Sequence, residues 1–227
     1  MAEGFDKDEL VQRYYAVRNA LPPHVTLIAV SKTRPIEQIQ ALYDLGHRAF
    51  GENYPQELRD KYPLLPADIE WHFIGHLQTN KVKYIVPFVH LVHGVDSVKL
   101  LHELNKRAAA EQRIQDVLLQ VHIAVEETKH GLSPKELEQI LVAPLNGMEH
   151  VRIRGLMGMA SNTADRAKVQ AEFEGLATLF EQMKQAPSAD PALFTQLSMG
   201  MSGDVEPAIA AGSTMVRIGS AIFGERG

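Results

Sequence analysis

The sequence predicts an α/β fold of the TIM type, a (β/α)8 barrel with an additional amino-terminal helix. Three observations lead there. Eight short runs of strand character alternate with segments of helical spacing along the whole chain. The first of these runs is apolar on both faces, as strands are in a parallel sheet covered on both sides. At 227 residues the chain also has the length of one such barrel, read as one domain spanning residues 1–227.

Residues 6–21 carry Leu10, Val11, Tyr14, Val17 and Leu21 at helical spacing, and Pro22-Pro23 stops that extra helix. The first strand, residues 25–30, leads directly into Ser31-Lys32-Thr33, and Pro35 opens a helix closed at Gly46. Strands follow at 48–51, 69–74 and 88–92, with broken helical segments at 56–62 and after Gly75. Asp96 or Ser97 caps the next helix, which runs through Leu100, Leu101, Leu104 and Ala108. Residues 116–124 alternate as a fifth strand, and Ser133-Pro-Lys-Glu136 is a capping box that starts a helix over 134–143. Strands at 151–157, 194–198 and 214–218 complete the count, separated by helices over 165–184 and 205–211.

Composition removes several classes of function. The 23 basic and 28 acidic residues leave a net charge of −5, which suits a soluble protein and lacks the footprint of a nucleic-acid binder. Without cysteine there is no thiol nucleophile, disulfide or cysteine-held metal. The acidic start and the lack of a long apolar run predict a cytoplasmic protein without a membrane segment.

Lys32 sits at the carboxyl end of the first strand, where a barrel of this type keeps its chemistry. A lysine there either snorkels to water at the rim or serves as an imine-forming or charge-pairing group. The loops after strands seven and eight are where the fold commonly holds phosphate, and here they read Ser198-Met-Gly-Met-Ser-Gly203 and Gly219-Ser220-Ala-Ile-Phe-Gly224. Arg217 lies just before the second loop, either pointing inward near the barrel top or held in a lower salt bridge. Lysine, phosphate cradle and arginine together describe a pocket for a phosphorylated carbonyl cofactor, and pyridoxal 5'-phosphate fits it.

The stretches Ala29-Val-Ser-Lys-Thr33, Phe50-Gly-Glu-Asn-Tyr54, Trp71-His-Phe-Ile-Gly-His-Leu-Gln-Thr-Asn-Lys81, Arg154-Gly-Leu-Met-Gly-Met159, Leu197-Ser-Met-Gly-Met-Ser202 and Val216-Arg-Ile-Gly-Ser220 carry a resemblance. In this order they resemble the pyridoxal phosphate homeostasis protein family, barrels similar to the amino-terminal domain of bacterial alanine racemase. The resemblance implies that Lys32 forms the internal imine, that Ser198, Gly219 and Ser220 hold the phosphate, and that Arg217 faces the pyridine nitrogen. It adds Asn53, Met157 and Met199 to the cofactor-binding set, with no catalytic residue established. Read structurally instead, Asn53 is a cap and Met157 is core filling. The loop 125–131 looks like the family's basic loop, although Glu126-Glu127 stands beside Lys129.

No metal is expected. His72 and His76 straddle a strand-to-glycine break without helical i,i+4 geometry, and His90, His93 and His102 have no motif around them. The family resemblance implies intracellular vitamin B6 and amino-acid homeostasis by buffering or delivering cofactor, in a monomer with transient contacts to cofactor-accepting apoenzymes. Racemisation needs acid-base groups on both faces of the substrate, and the racemases' additional domain is expected to be absent because the sequence ends after strand eight. Two alternatives stay open: a low-efficiency PLP-dependent amino-acid racemase or lyase, and a regulatory interaction protein that the cofactor merely stabilises.

Overall fold

The computed structural model describes residues 5–126, 130–142 and 147–225. Its eight strands are β1 Thr26–Val30, β2 Ala49–Glu52, β3 Glu70–Phe73, β4 Leu91–Val95, β5 Gln115–Val121, β6 Val151–Gly158, β7 Gln196–Met201 and β8 Met215–Ile218. They pair in sequence order, all parallel, and β8 closes on β1 with Ile28 beside Arg217. Among the described residues no helix is long and apolar enough to cross a membrane.

The extra helix is α1, Lys7–Ala20. Asp6 caps it by accepting the Glu9 amide at 3.0 Å, and Arg13 Nε donates to the Ile222 carbonyl at 2.9 Å, so α1 is tied to the end of the chain. The helices between strands are α2 Ile36–Asp44, α3 Pro55–Lys61, α4 Val98–Ala110, α5 Pro134–Val142, α6 Arg166–Met183 and α7 Val205–Ala210, and α8 Ser220–Phe223 follows β8. Short 3-10 turns cover Tyr62–Leu64 and Thr79–Tyr84. The capping box forms as its sequence requires: Ser133 N–H donates to Glu136 Oε2 at 2.8 Å, and Glu136 N–H donates to Ser133 Oγ at 3.3 Å. Ser97 takes the cap of α4, which leaves Asp96 free to meet His76.

Two cores result from the strand period of two. The outer core joins strands to helices and holds Leu27, Phe50, Trp71, Phe173 and Phe194. A smaller inner cluster of Leu91, Leu118, Met157 and Met215 fills part of the barrel. The interior also holds the buried polar residues His72, His93, Ser198 and Arg217, which the sequence does not predict as a group.

Some boundaries also differ. The fourth strand begins three residues later than expected, at Leu91, because Phe88 and Val89 close a turn onto the Ile85 carbonyl. Phe88 stacks on Tyr62 at 3.9 Å, so its apolar character serves an aromatic contact outside the sheet. Strand five ends at Val121, short of the expected 124, whereas strand seven runs from Gln196 to Met201 where 194–198 was expected. Its register shifts between Ser198 and Met201, with Gly200 at φ +91°. A Cβ at Gly200 would stand 2.7 Å from that of Ala208, so glycine serves both the backbone angle and the close approach of α7. Lys129 and Glu127 of the basic-loop reading lie outside the described residues.

Candidate functional site

At the carboxyl ends of the strands a cavity of about 400 Å³ opens beside β1 and β8. Its walls bring together Lys32, Asn53, Arg217, Gly219 and Ser220, all expected from the sequence, with Arg34, Ile74, Met159, Ser202 and Gly203. A larger groove of about 970 Å³ lies between α1, α6 and α7, but neither Lys32 nor Arg217 reaches it.

Lys32 is half-buried and stands on a clamped loop. Ser31 donates its hydroxyl to Glu52 Oε1 at 2.7 Å, and its carbonyl accepts from Lys61 Nζ at 2.8 Å. On the other side of Lys32, the Thr33 amide donates to Glu57 Oε1 at 2.6 Å. Thr33 has φ +62°, a left-handed angle that a β-branched residue adopts only under constraint from its surroundings. Lys61 joins the two carboxylates, 2.8 Å from Glu52 Oε1 and 2.6 Å from Glu57 Oε1. Burial pushes the Glu52 carboxyl upward, opposed by Lys61. Glu52, Glu57 and Lys61 carry no assignment from the sequence alone. The usable signal was Glu52, a carboxylate inside a four-residue strand with no exposed position.

Arg217 points inward and is buried. Its Nη1 donates to Ser198 Oγ at 2.6 Å and its Nη2 to the Gly158 carbonyl at 3.1 Å. Among the described residues no carboxylate lies within ion-pair distance of it, and burial brings its pKa down to about 10, so it remains a cation at neutral pH. Ser198 Oγ is also 3.0 Å from His93 Nδ1, and His93 Nε2 is 2.9 Å from His72 Nδ1. These four residues form a continuous polar chain through the barrel. Burial pushes His72 down to about 3 and His93 well below its usual value, so both imidazoles are neutral. The sequence reading left His93 unassigned and weighed His72 only as a partner of His76. His76 sits instead at the rim, its Nδ1 3.0 Å from Asp96 Oδ2.

Three expected site residues are not on the cavity wall. Ser198 is fully buried, with its hydroxyl engaged by Arg217 and His93, so it supports the arginine from below; Ser202, past the register shift, lines the wall in its place. Met157 is buried in the inner apolar cluster, and the wall residue is Met159, two positions on. Met199 faces the outer core. Asn53 lines the cavity, and its Oδ1 is buried without a hydrogen-bond partner. At Gly219 a Cβ would come within 3.3 Å of the Val30 carbonyl, a tight contact on that part of the wall.

The sequence profile described as "Alanine racemase, N-terminal domain" matches residues 5–227. A protein of Pasteurella multocida (strain Pm70) named "Pyridoxal phosphate homeostasis protein" is 41% identical over 217 residues, 93% of this chain and 92% of that protein. The structure of PipY of Synechococcus elongatus PCC7942 without PLP superposes with a TM-score of 0.88 at 38% identity, covering 95% of this chain and 100% of PipY. The same protein with PLP bound gives 0.85 at 37% identity, with the same coverage. The chain therefore belongs to the alanine racemase N-terminal domain family, within its branch of pyridoxal phosphate homeostasis proteins.

Proposed function

We propose that this protein binds pyridoxal 5'-phosphate through Lys32 and takes part in intracellular vitamin B6 and amino-acid homeostasis by buffering or delivering the cofactor. The observation that carries this reading is the buried guanidinium of Arg217, with no carboxylate at ion-pair distance among the described residues, on the wall of a cavity that also holds Lys32. A desolvated cation without an anionic partner is costly, and an electron-rich ligand beside it recovers part of that cost. Asn53 Oδ1, buried and without a hydrogen-bond partner among the described residues, belongs to a second polar side chain on the same wall.

When bound, the cofactor supplies an electrophilic aldehyde for the lysine amine and a ring that withdraws electrons from it. The chain's own residues do the rest. The Ser31 and Thr33 hydrogen bonds aim Lys32, while Ser202, Gly203, Gly219 and Ser220 offer hydroxyls and close backbone approach to the phosphate. Arg217 donates hydrogen bonds and keeps its proton, so it holds a ring nitrogen as an acceptor without protonating it. Ser198 orients Arg217.

The role is proposed for a cytoplasmic monomer that meets cofactor-accepting apoenzymes transiently. Titration with PLP, followed by visible absorbance, tests the binding: saturation at one equivalent is expected, with no such band in Lys32→Ala. Delivery predicts faster loss of cofactor from the loaded protein when an acceptor apoenzyme is present than on dilution alone, and equal rates contradict it.

A further inference from the structure

The opposite end of the barrel from Lys32 holds a second group of donors. Glu70, the first residue of β3, stands with His72 and His90 so that one ligand atom from each lies within 4.8 Å of the other two. His72 is buried, while Glu70 and His90 are exposed, so the group runs from the barrel interior to water. His72 Nδ1 is taken by His93, yet its Nε2 is buried with no partner among the described residues. Leaving such an atom dehydrated and unpaired is unfavourable, and a ligand at that nitrogen would offset the loss. The two imidazole rings are 5.5 Å apart and inclined at 52°, an arrangement that does not stack them and leaves their nitrogens able to converge.

We propose that Glu70, His72 and His90 form a binding site for a divalent transition-metal ion of the zinc type. Two imidazoles and one carboxylate are the donor set of such ions, whereas calcium and magnesium take oxygen ligands. Tetrahedral bonds of about 2.0–2.1 Å place donors about 3.3 Å apart, so the exposed Glu70 and His90 side chains close in on a stationary His72. Water completes the coordination.

A hydrogen-bonded chain already stands behind His72. A metal-bound histidine normally donates its other N–H to a neighbour. With the ion on Nε2, His72 Nδ1–H donates to His93 Nε2, and His93 Nδ1–H donates to Ser198 Oγ, which also accepts from Arg217. Occupation of the barrel floor thus sets the direction of the hydrogen-bond chain that ends at the cavity. The rim group of His76, Asp96 and His130 has similar donors, but its histidine and aspartate already bond each other at 3.0 Å.

Trp71, the only tryptophan, is buried between Glu70 and His72 in the strand and reports on the site directly. The test is equilibrium dialysis of the full chain with Zn²⁺, together with Co²⁺ titration followed by Trp71 fluorescence, which a paramagnetic ion at this distance quenches. One ion per chain is expected, with quenching that saturates at the same stoichiometry. Glu70→Gln and His90→Gln change exposed side chains and should each weaken binding at least tenfold, whereas Asp96→Asn should leave it unchanged. Absence of stoichiometric binding, full retention in His90→Gln, or loss in Asp96→Asn would overturn the assignment, the last by placing the ion at the rim.

Discussion

Lys61 Nζ lies 2.8 Å from Glu52 Oε1 and 2.8 Å from the Ser31 carbonyl, so one buried ammonium ties the end of β2 to the residue before Lys32. Removing Lys61 as Lys61→Met strands a carboxylate that burial already pushes upward. A stability loss of about 3–5 kcal/mol is expected at neutral pH, as for other broken buried pairs. For a carboxyl whose folded pKa is raised, stability is retained below the unfolded value and lost as pH rises through the folded one. Denaturant unfolding should therefore show Lys61→Met closer to the parent near pH 5 than near pH 8; a constant difference would mean that Glu52 is not the stranded group.

Arg217 sets stability against binding. Its desolvation outweighs the attraction of Asp204, and no described carboxylate stands at ion-pair distance, so Arg217→Met should change the apoprotein's unfolding free energy by less than about 1 kcal/mol, or raise it. Affinity for PLP should fall at least tenfold. Calorimetric melting and PLP titration read the two effects separately, and a large loss of apo stability with unchanged affinity would reverse the account of this residue.

His47 gives the fold an acid limit. Burial, helped by the charges of Arg18 and Arg48, holds it at about 4 against the bond of Nε2 to the Ala49 carbonyl at 2.8 Å, and Nδ1 lies 3.4 Å from Tyr14 Oη. A histidine whose folded pKa is depressed contributes stability above its unfolded value, and that stability is lost as pH falls through the folded one. The window is about pH 6.5 down to 4, with about 3 kcal/mol at stake. Unfolding free energies across that range should fall less steeply in His47→Gln, by about one proton's slope; parallel curves would exclude His47 as a contributor.

Gly75 spaces the ends of β2 and β3. A Cβ there would stand 2.4 Å from the Asn53 carbonyl and 2.9 Å from its Cα, both backbone atoms that cannot swing aside. Gly75→Ala should cost about 3 kcal/mol or more and move Asn53 off the cavity wall. Thermal unfolding checks the first part and PLP affinity the second; a variant as stable as the parent would show that the strand ends yield easily.

The barrel was legible because local signals agreed: a cap at Asp96 or Ser97, a capping box at Ser133, a proline stop after Leu21, and an apolar run for each strand. The fourth strand slipped by three residues because Phe88 and Val89 are apolar for a reason outside the sheet, the stack on Tyr62 and the turn at Ile85. Lys32 was legible as a strand-end charge, but the Glu52–Lys61–Glu57 clamp was not, since charged residues around a helix resemble any solvated face. Ser198 was expected to face the ligand. The Gly200 register shift and the bonds to His93 and Arg217, 105 and 19 residues away, redirect it, and no local pattern encodes contacts at such separations.

The central claim is that Lys32, aimed by this clamp, is the residue that carries the cofactor. Borohydride reduction of the PLP-loaded protein, followed by peptide mapping, tests it most directly. The account predicts one stable pyridoxyl adduct on Lys32, strongly reduced in yield when Glu57→Gln loosens the loop. An adduct on another lysine, or a spread over several with Lys32 unmodified, would contradict it.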